Sequence, residues 1–192
     1  MTRIALLVVA FVTVALVQTA PAHAEPLHTS ITYGPPKLAA PELTIGALPI
    51  EGLRASELRD SFDEIRNGHP HRAIDIMSPL GTPVRSVVDG TIRKLFFSKS
   101  GGNTIYEFDE ASAYCYYYAH LDHYANGLYE GMHVSPETVI GYVGSTGNAS
   151  PLAPHLHFAI YQLGPDKRWW KGTPVNPYPM LIRLLKTAPP TP

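Results

Sequence analysis

The sequence predicts a mainly β fold, an antiparallel sheet with short peripheral helices. Two observations predict it. From residue 73 onward, short apolar runs alternate with turn signals at even spacing, the pattern of an antiparallel sheet or sandwich. Apolar residues also make up 45% of the 192-residue chain against 16% charged, enough for one buried core and too apolar for a disordered polymer.

The elements follow in chain order. Residues 1–24 read as a secretory signal peptide: Arg3, then Ile4 to Val17 broken only by Thr13, then the small-x-small site Ala22-His23-Ala24, with cleavage expected after Ala24. The apolar run is short for a bilayer span of about 20 residues. The mature chain is therefore expected to be exported, in the periplasm or outside the cell, with no stable membrane insertion. Residues 25–50 are rich in Pro and Ala and read as a linker or a segment draped over the domain. The domain itself is expected over 51–180. It opens with one or two helical turns in Leu53 to Ile65, Ser56 being a candidate cap. Strands are expected at 73–77, 83–88, 91–97, 104–108, 114–120, 139–143 and 155–161. Asp89-Gly90 is a hairpin-turn pair by composition. Residues 181–192 close the chain as a short helix, from about Met180 to Leu185, and a loose tail.

Charge and cysteine content exclude several functions. A net charge of −1 gives no electrostatic case for nucleic acid or an anionic membrane. The single cysteine, Cys115, can form neither an internal disulfide nor a thiolate zinc cluster. Flanked by Tyr114 and by Tyr116, Tyr117 and Tyr118, it reads as a packed strand residue.

Nine histidines direct attention to metal chemistry, since imidazole is the commonest side-chain ligand for zinc and carboxylate often completes the set. In His155-Leu156-His157, residues i and i+2 of a strand share a face about 6.6 Å apart, so two imidazoles can converge on one site. By spacing alone either could hold a metal, or both could be exposed edge residues. In His71-Arg72-Ala73-Ile74-Asp75, positions i and i+4 of a straight strand stand about 13 Å apart, too far for two ligands at about 2 Å from one ion. His71 must therefore lie on a bend, with Asp75 at the start of a strand. Asp75 sits between Ile74 and Ile76, where a buried carboxylate needs a partner. His120 shares strand parity with Tyr118 and Tyr116, which predicts one face carrying hydroxyls and an imidazole.

These pieces, with Ser78-Pro79-x-Gly81-Thr82-Pro83-Val84, Asp89-Gly90-Thr91, Gly102-Asn103-Thr104, Tyr118-Ala119-His120-Leu121, Ile140 to Asn148 and Pro154-His155-Leu156-His157-Phe158, resemble the LytM/lysostaphin-type zinc metallopeptidases. The likeness covers roughly Leu53 to Tyr161 and implies their antiparallel, duplicated hybrid motif-type domain. It also implies the roles: His71, Asp75 and His157 as ligands of one zinc per chain, and His120 and His155 as catalytic histidines, with His155 the general base. Arg66 and Tyr118 are weaker candidates for substrate binding. Ala73 and Ala153 stand where the family usually has glycine, each adding a methyl group and removing no ligand.

The resemblance further implies an exported endopeptidase that cuts peptide cross-links of peptidoglycan by attack of a zinc-bound water. No stretch of the sequence resembles a polyglycine-binding accessory domain, so a cross-link of D-alanine to diaminopimelate is the expected target. The alternatives are a non-catalytic module that activates cell-wall amidases, whose relatives lack some of the five site residues present here, and a secreted peptidase acting on proteins. The sequence identifies no protein regulator. His69, His123 and His133 read as surface residues. Gly144 to Gly147 lacks the lysine of a phosphate loop. Asn148-Ala149-Ser150 matches a glycosylation triplet with no further support. The Trp169-Trp170 pair fits a cover over the sheet edge, with sugar stacking as the other reading.

Overall fold

The computed structural model describes residues 42–187. The expected signal peptide, residues 25–41 of the linker and residues 188–192 of the tail lie outside the described residues.

A two-stranded ribbon, β1 (Ile65–Arg66) and β2 (His69–Pro70), precedes a larger antiparallel sheet. Its strands are β3 (Ile74–Met77), β4 (Pro83–Arg85), β5 (Gly90–Ser98), β6 (Gly102–Asp109), β7 (Tyr114–Tyr124), β8 (His133–Val134), β9 (Val139–Val143), β10 (His155–Leu163) and β11 (Gly172–Val175). The spatial order is β11-β10-β7-β6-β5-β8, with β3 on the first half of β10, β9 on the far end of β7, and β4 on β9. The mainly β, antiparallel expectation holds.

Strand alternation sets which face carries chemistry. On β10, Leu156, Phe158 and Ile160 have no exposed surface. They pack with Tyr116 and Tyr118 of β7, Ile105 of β6 and Ile74 and Ile76 of β3. Burying each such side chain contributes about 1.5–3 kcal/mol, so a one-residue slip, which would turn them all to the other face, is strongly disfavoured. The opposite face of β10 then carries His155, His157 and Tyr161. Across β3, Ile74 and Ile76 face the core and Asp75 faces away from it, directly opposite His157.

Residues 42–50 pack on this domain. Ile45 and Ile50 join its core, the Gly46 N–H donates to Val87 O (2.7 Å), and the Tyr116 hydroxyl donates to Thr44 O (3.3 Å). Among the described residues, no helix is long and apolar enough to cross a membrane.

Three local expectations change. Leu53 to Ile65 forms only a single 3₁₀ turn, Ala55–Glu57, and Arg54 rather than Ser56 precedes it. The chain is then drawn out by its buried anchors Leu58 and Phe62, and the Asp60 carboxylate accepts the Phe62 N–H (3.2 Å), a local bond that competes with helix. Asp89-Gly90 turns no hairpin, because β4 pairs with β9 and β5 with β6. Gly90 answers a close approach instead: a Cβ there would lie 2.4 Å from Phe108 O. The closing helix runs Tyr178–Thr187, longer than expected, and starts where Asn176 Oδ1 accepts the Tyr178 N–H (2.9 Å).

Candidate metal centre

His71, Asp75 and His157 converge. His71 follows β2 on the bend its spacing requires, with Arg72 in the left-handed region (φ 59°). Asp75 lies in β3 and His157 in β10, paired across the sheet. Three donor atoms form a nearly equilateral triangle. His71 Nε2 to His157 Nδ1 is 3.0 Å, His71 Nε2 to Asp75 Oδ1 is 3.2 Å, and His157 Nδ1 to Asp75 Oδ1 is 3.1 Å. Donors at about 2.0–2.1 Å from one tetrahedral ion stand about 3.3 Å apart, so the donor set fits zinc.

Protonation supports the same fit. His71 Nδ1 lies 3.1 Å from Ser61 O, a carbonyl that can only accept, so Nδ1 carries the hydrogen and Nε2 presents a lone pair. Burial would raise the Asp75 carboxyl, but the His157 and His71 rings and the Arg66 guanidinium beside it hold it far below the ordinary carboxylate range. Burial also lowers His157, against the opposing pull of Asp75. Burial thus disfavours the charged form of His157 while Asp75 is held ionised, and neutral imidazole and ionised carboxylate are the forms that ligate a cation.

Two more imidazoles border the triangle. The His120 ring lies 4.9 Å from His155 and 5.6 Å from His157, centre to centre. Its Nδ1–H donates to Thr146 O (2.9 Å), and the His155 Nδ1–H donates to Ala153 O (2.8 Å). Both carbonyls can only accept, so each ring keeps a lone pair on Nε2. His155 Nε2 is 3.8 Å from Asp75 Oδ1. Burial pushes His120 down to about 4, which keeps it neutral near pH 7.

The structure revises how His120 gets there. The β6–β7 register slips by one residue between Asn103 and Ile105, and His120 itself has φ 60°. This bulge breaks the parity expected with Tyr116 and Tyr118, which face the core, as does Leu121 beyond the slip. Tyr118 is accordingly removed as a substrate contact: it has no exposed surface, and its hydroxyl donates to Glu107 Oε2 (2.8 Å). Tyr117 takes the place beside the site, its ring 5.9 Å from His157. Arg66 does reach the site, with Nη1 3.0 Å from His71 Nε2 and 2.5 Å from Asp75 Oδ2, and Nη2 3.0 Å from Glu64.

Sequence reasoning missed the groups that hold these side chains. Ser61 takes the His71 hydrogen on its carbonyl and the Asp75 N–H on its hydroxyl (3.3 Å). Thr146 Oγ1 donates to Leu121 O (2.6 Å) and accepts the Asn103 N–H (3.0 Å), pinning the loop whose carbonyl orients His120. This is the work of the Gly144 to Gly147 motif. At Gly147 (φ 77°) a Cβ would stand 2.3 Å from Gly102 N, so the two loops could not close with a larger residue. His69, His123 and His133 are exposed, and Cys115 is fully buried, its thiol pushed up by burial.

The sequence model of peptidase family M23 matches residues 69–177, which span His71, Asp75 and His157 and both bordering histidines. The chain belongs to peptidase family M23. Among M23 relatives, the L-Ala–D-Glu endopeptidase of Bacillus subtilis is 34% identical over 116 residues, 58% of this chain and 34% of that protein. The glycyl-glycine endopeptidase ALE-1 of Staphylococcus capitis is 36% identical over 93 residues, 48% of this chain and 25% of that protein. The chain thus spans only a quarter to a third of the length of these two relatives. The catalytic domain of the antimicrobial peptidase lysostaphin from Staphylococcus simulans superposes with a TM-score of 0.52 at 27% identity, over 73% of this chain and 90% of that domain.

Proposed function

We propose that this M23 chain is an exported zinc endopeptidase that hydrolyses peptide bonds in peptidoglycan cross-links. One observation carries the reading: a triangle of three metal-donor atoms with 3.0–3.2 Å edges, bordered by two imidazoles whose Nδ1 atoms are held by backbone carbonyls. M23 membership and relatives named as cell-wall endopeptidases support the substrate class, and residues 1–24 support export. Those relatives carry different bonds in their names, L-Ala–D-Glu and glycyl-glycine, and the bond proposed here, D-alanine to diaminopimelate, is neither of them.

His71 Nε2, Asp75 Oδ1 and His157 Nδ1 would hold one zinc, which when bound polarises a carbonyl and makes a water acidic enough to react near neutral pH. The chain's own residues supply the proton handling. His120 Nε2 orients the attacking water by accepting one of its hydrogens. His155 Nε2 takes the proton as general base. Once protonated, it becomes a donor to the tetrahedral carbon's oxygen and then to the leaving amine. Thr146 O and Ala153 O hold the two rings in the tautomer this requires.

Arg66 Nη1 lies against one of the three donor atoms, His71 Nε2, and against Asp75 Oδ2, the carboxylate oxygen outside the triangle, so its guanidinium would share this edge of the site with a bound cation. A digest of purified peptidoglycan read by mass spectrometry tests the proposal. New peptide termini that appear only with zinc are expected, and an uncut wall in the presence of zinc overturns the reading.

A further inference from the structure

Beside the metal centre, the same face of the sheet holds a second feature. Tyr106 of β6 and Tyr117 of β7 are cross-strand partners, with ring centres 4.7 Å apart, and Tyr161 of β10 lies 6.5 Å from Tyr117. The turn between β10 and β11 stands Trp169 against Tyr106 (4.6 Å) and Trp170 against Trp169 (5.2 Å). With Lys171 they enclose a cavity of about 370 Å³. Tyr117 belongs to both places, lining this cavity and touching His157 at 5.9 Å. A cover over the sheet edge explains Trp169, which also packs on Phe96 (5.4 Å). It does not explain Trp170, which remains 61% exposed, or the open cavity between the rings.

We infer that this cavity is a saccharide subsite that seats one pyranose ring of the glycan strand whose peptide the centre cuts. The inference rests on the peptidoglycan reading above. A pyranose has apolar faces of C–H groups and a rim of hydroxyls and an acetamido group. The cavity offers the complement: aromatic faces, the phenols of Tyr106, Tyr117 and Tyr161, the first two hydrogen-bonded to one another, and the Lys171 ammonium. Its phenols stay neutral near pH 7, burial holding Tyr161 up at about 12, so they serve as both donors and acceptors. The volume is at the small end of ligand pockets, about 300–1,000 Å³, which suits one ring. An aromatic cage for a cation is the competing design, and Lys171 in the wall repels such a ligand. Position also fits the cross-link target. Tyr161 lies four residues beyond His157 on one strand face, about 13 Å. That distance equals about four residues of extended peptide, so a sugar seated here presents the far end of its stem to the metal centre.

Both tryptophans of the chain, Trp169 and Trp170, line this cavity, so tryptophan emission, excited selectively over tyrosine, reports on it. Glycan strands freed of peptide with an amidase are titrated into the intact, zinc-loaded protein. The expected result is a saturable emission change, weakened about tenfold by Trp170→Ala. Stems bearing the disaccharide should also be cut with a higher kcat/KM than bare stems, and Trp170→Ala should bring that ratio down towards one. An enzyme that cuts intact peptidoglycan yet shows no emission change and no preference overturns the subsite and leaves the hydrolase reading standing. A saturable emission change in a protein that leaves peptidoglycan uncut supports the subsite and sinks the hydrolase reading.

Discussion

Asp75 and Glu107 are two carboxyl groups withdrawn from water in one sheet, on opposite faces, and their surroundings drive them in opposite directions. Asp75 looks away from the core, met by His157, His71 and Arg66, which hold it ionised. Glu107 looks into the core from β6, accepting hydrogen bonds from Ser86 Oγ (2.6 Å) and the Tyr118 hydroxyl (2.8 Å). Burial pushes it up to about 7, the two hydroxyls offsetting only part of that and Asp89 adding to it. Burial opposes charge in both places. The partners decide the outcome: imidazoles and a guanidinium stabilise a negative charge, while two neutral hydroxyls leave the protonated acid competitive. One carboxyl is the proposed cation ligand and the other completes a core.

The strongest way to break this contrast is to neutralise each carboxyl with its isosteric amide. Asp75→Asn should reduce bound zinc from about one per chain to none by elemental analysis, and slow hydrolysis by on the order of 10³-fold or more. Full zinc occupancy in that variant would mean the charge is not what binds the metal. Glu107→Gln should keep zinc content and hydrolysis and change only stability.

The sign for Glu107 follows from its raised value. A folded-state value of about 7 against an ordinary 4.5 means the folded chain holds a proton that the unfolded chain has already released. Its contribution to stability is full below about 4.5 and is lost as pH rises through about 7. Measured by urea unfolding with zinc in excess, Glu107→Gln should therefore gain on the wild type between pH 5 and pH 8, by roughly 1–3 kcal/mol. A difference that does not vary with pH would place Glu107 with the ordinary surface acids.

The sequence disclosed these two carboxyls unequally, for a physical reason. Spacing made part of the Asp75 site legible: i to i+4 demanded a bend at His71, and His-x-His placed two imidazoles on one strand face, while the choice of His157 over His155 as candidate ligand came from the family resemblance. Alternation likewise located most of the strands. Glu107 gave no such signal, since its partners Ser86 and Tyr118 come from distant segments that meet only in the folded core. The same limit hid Ser61, Thr146 and the two-residue strand β8. It also explains the misplaced parity of Tyr118 and His120. A bulge is one residue inserted between two registers, and alternation read from sequence assumes that none is present.

Smaller effects sharpen the contrast from its partners' side. Arg66 is the cation paired with Asp75, and it would share that carboxylate with the proposed metal. Arg66→Gln should tighten zinc binding by about 3- to 10-fold in competition with a chelator, because one positive charge no longer opposes another in a half-exposed setting. Unchanged affinity would show that the guanidinium already stands clear of the donors.

Tyr118→Phe tests the other carboxyl and should show the smallest effect. It removes one of the two hydrogen bonds to Glu107. Below the Glu107 value the lost partner is a neutral acid, and the loss is about 0.5–1.5 kcal/mol. Above that value the lost acceptor is a carboxylate, whose hydrogen bonds contribute about 1.5–3 kcal/mol. The destabilisation should therefore grow with pH, opposite in sense to Glu107→Gln. In the double variant the growth should disappear, because the charge that made the hydroxyl matter is gone. KM for the cell-wall substrate should not move, since the ring has no exposed surface. A raised KM with pH-independent stability would return Tyr118 to the groove and dissolve the division between a carboxyl that holds a metal and one that holds a proton.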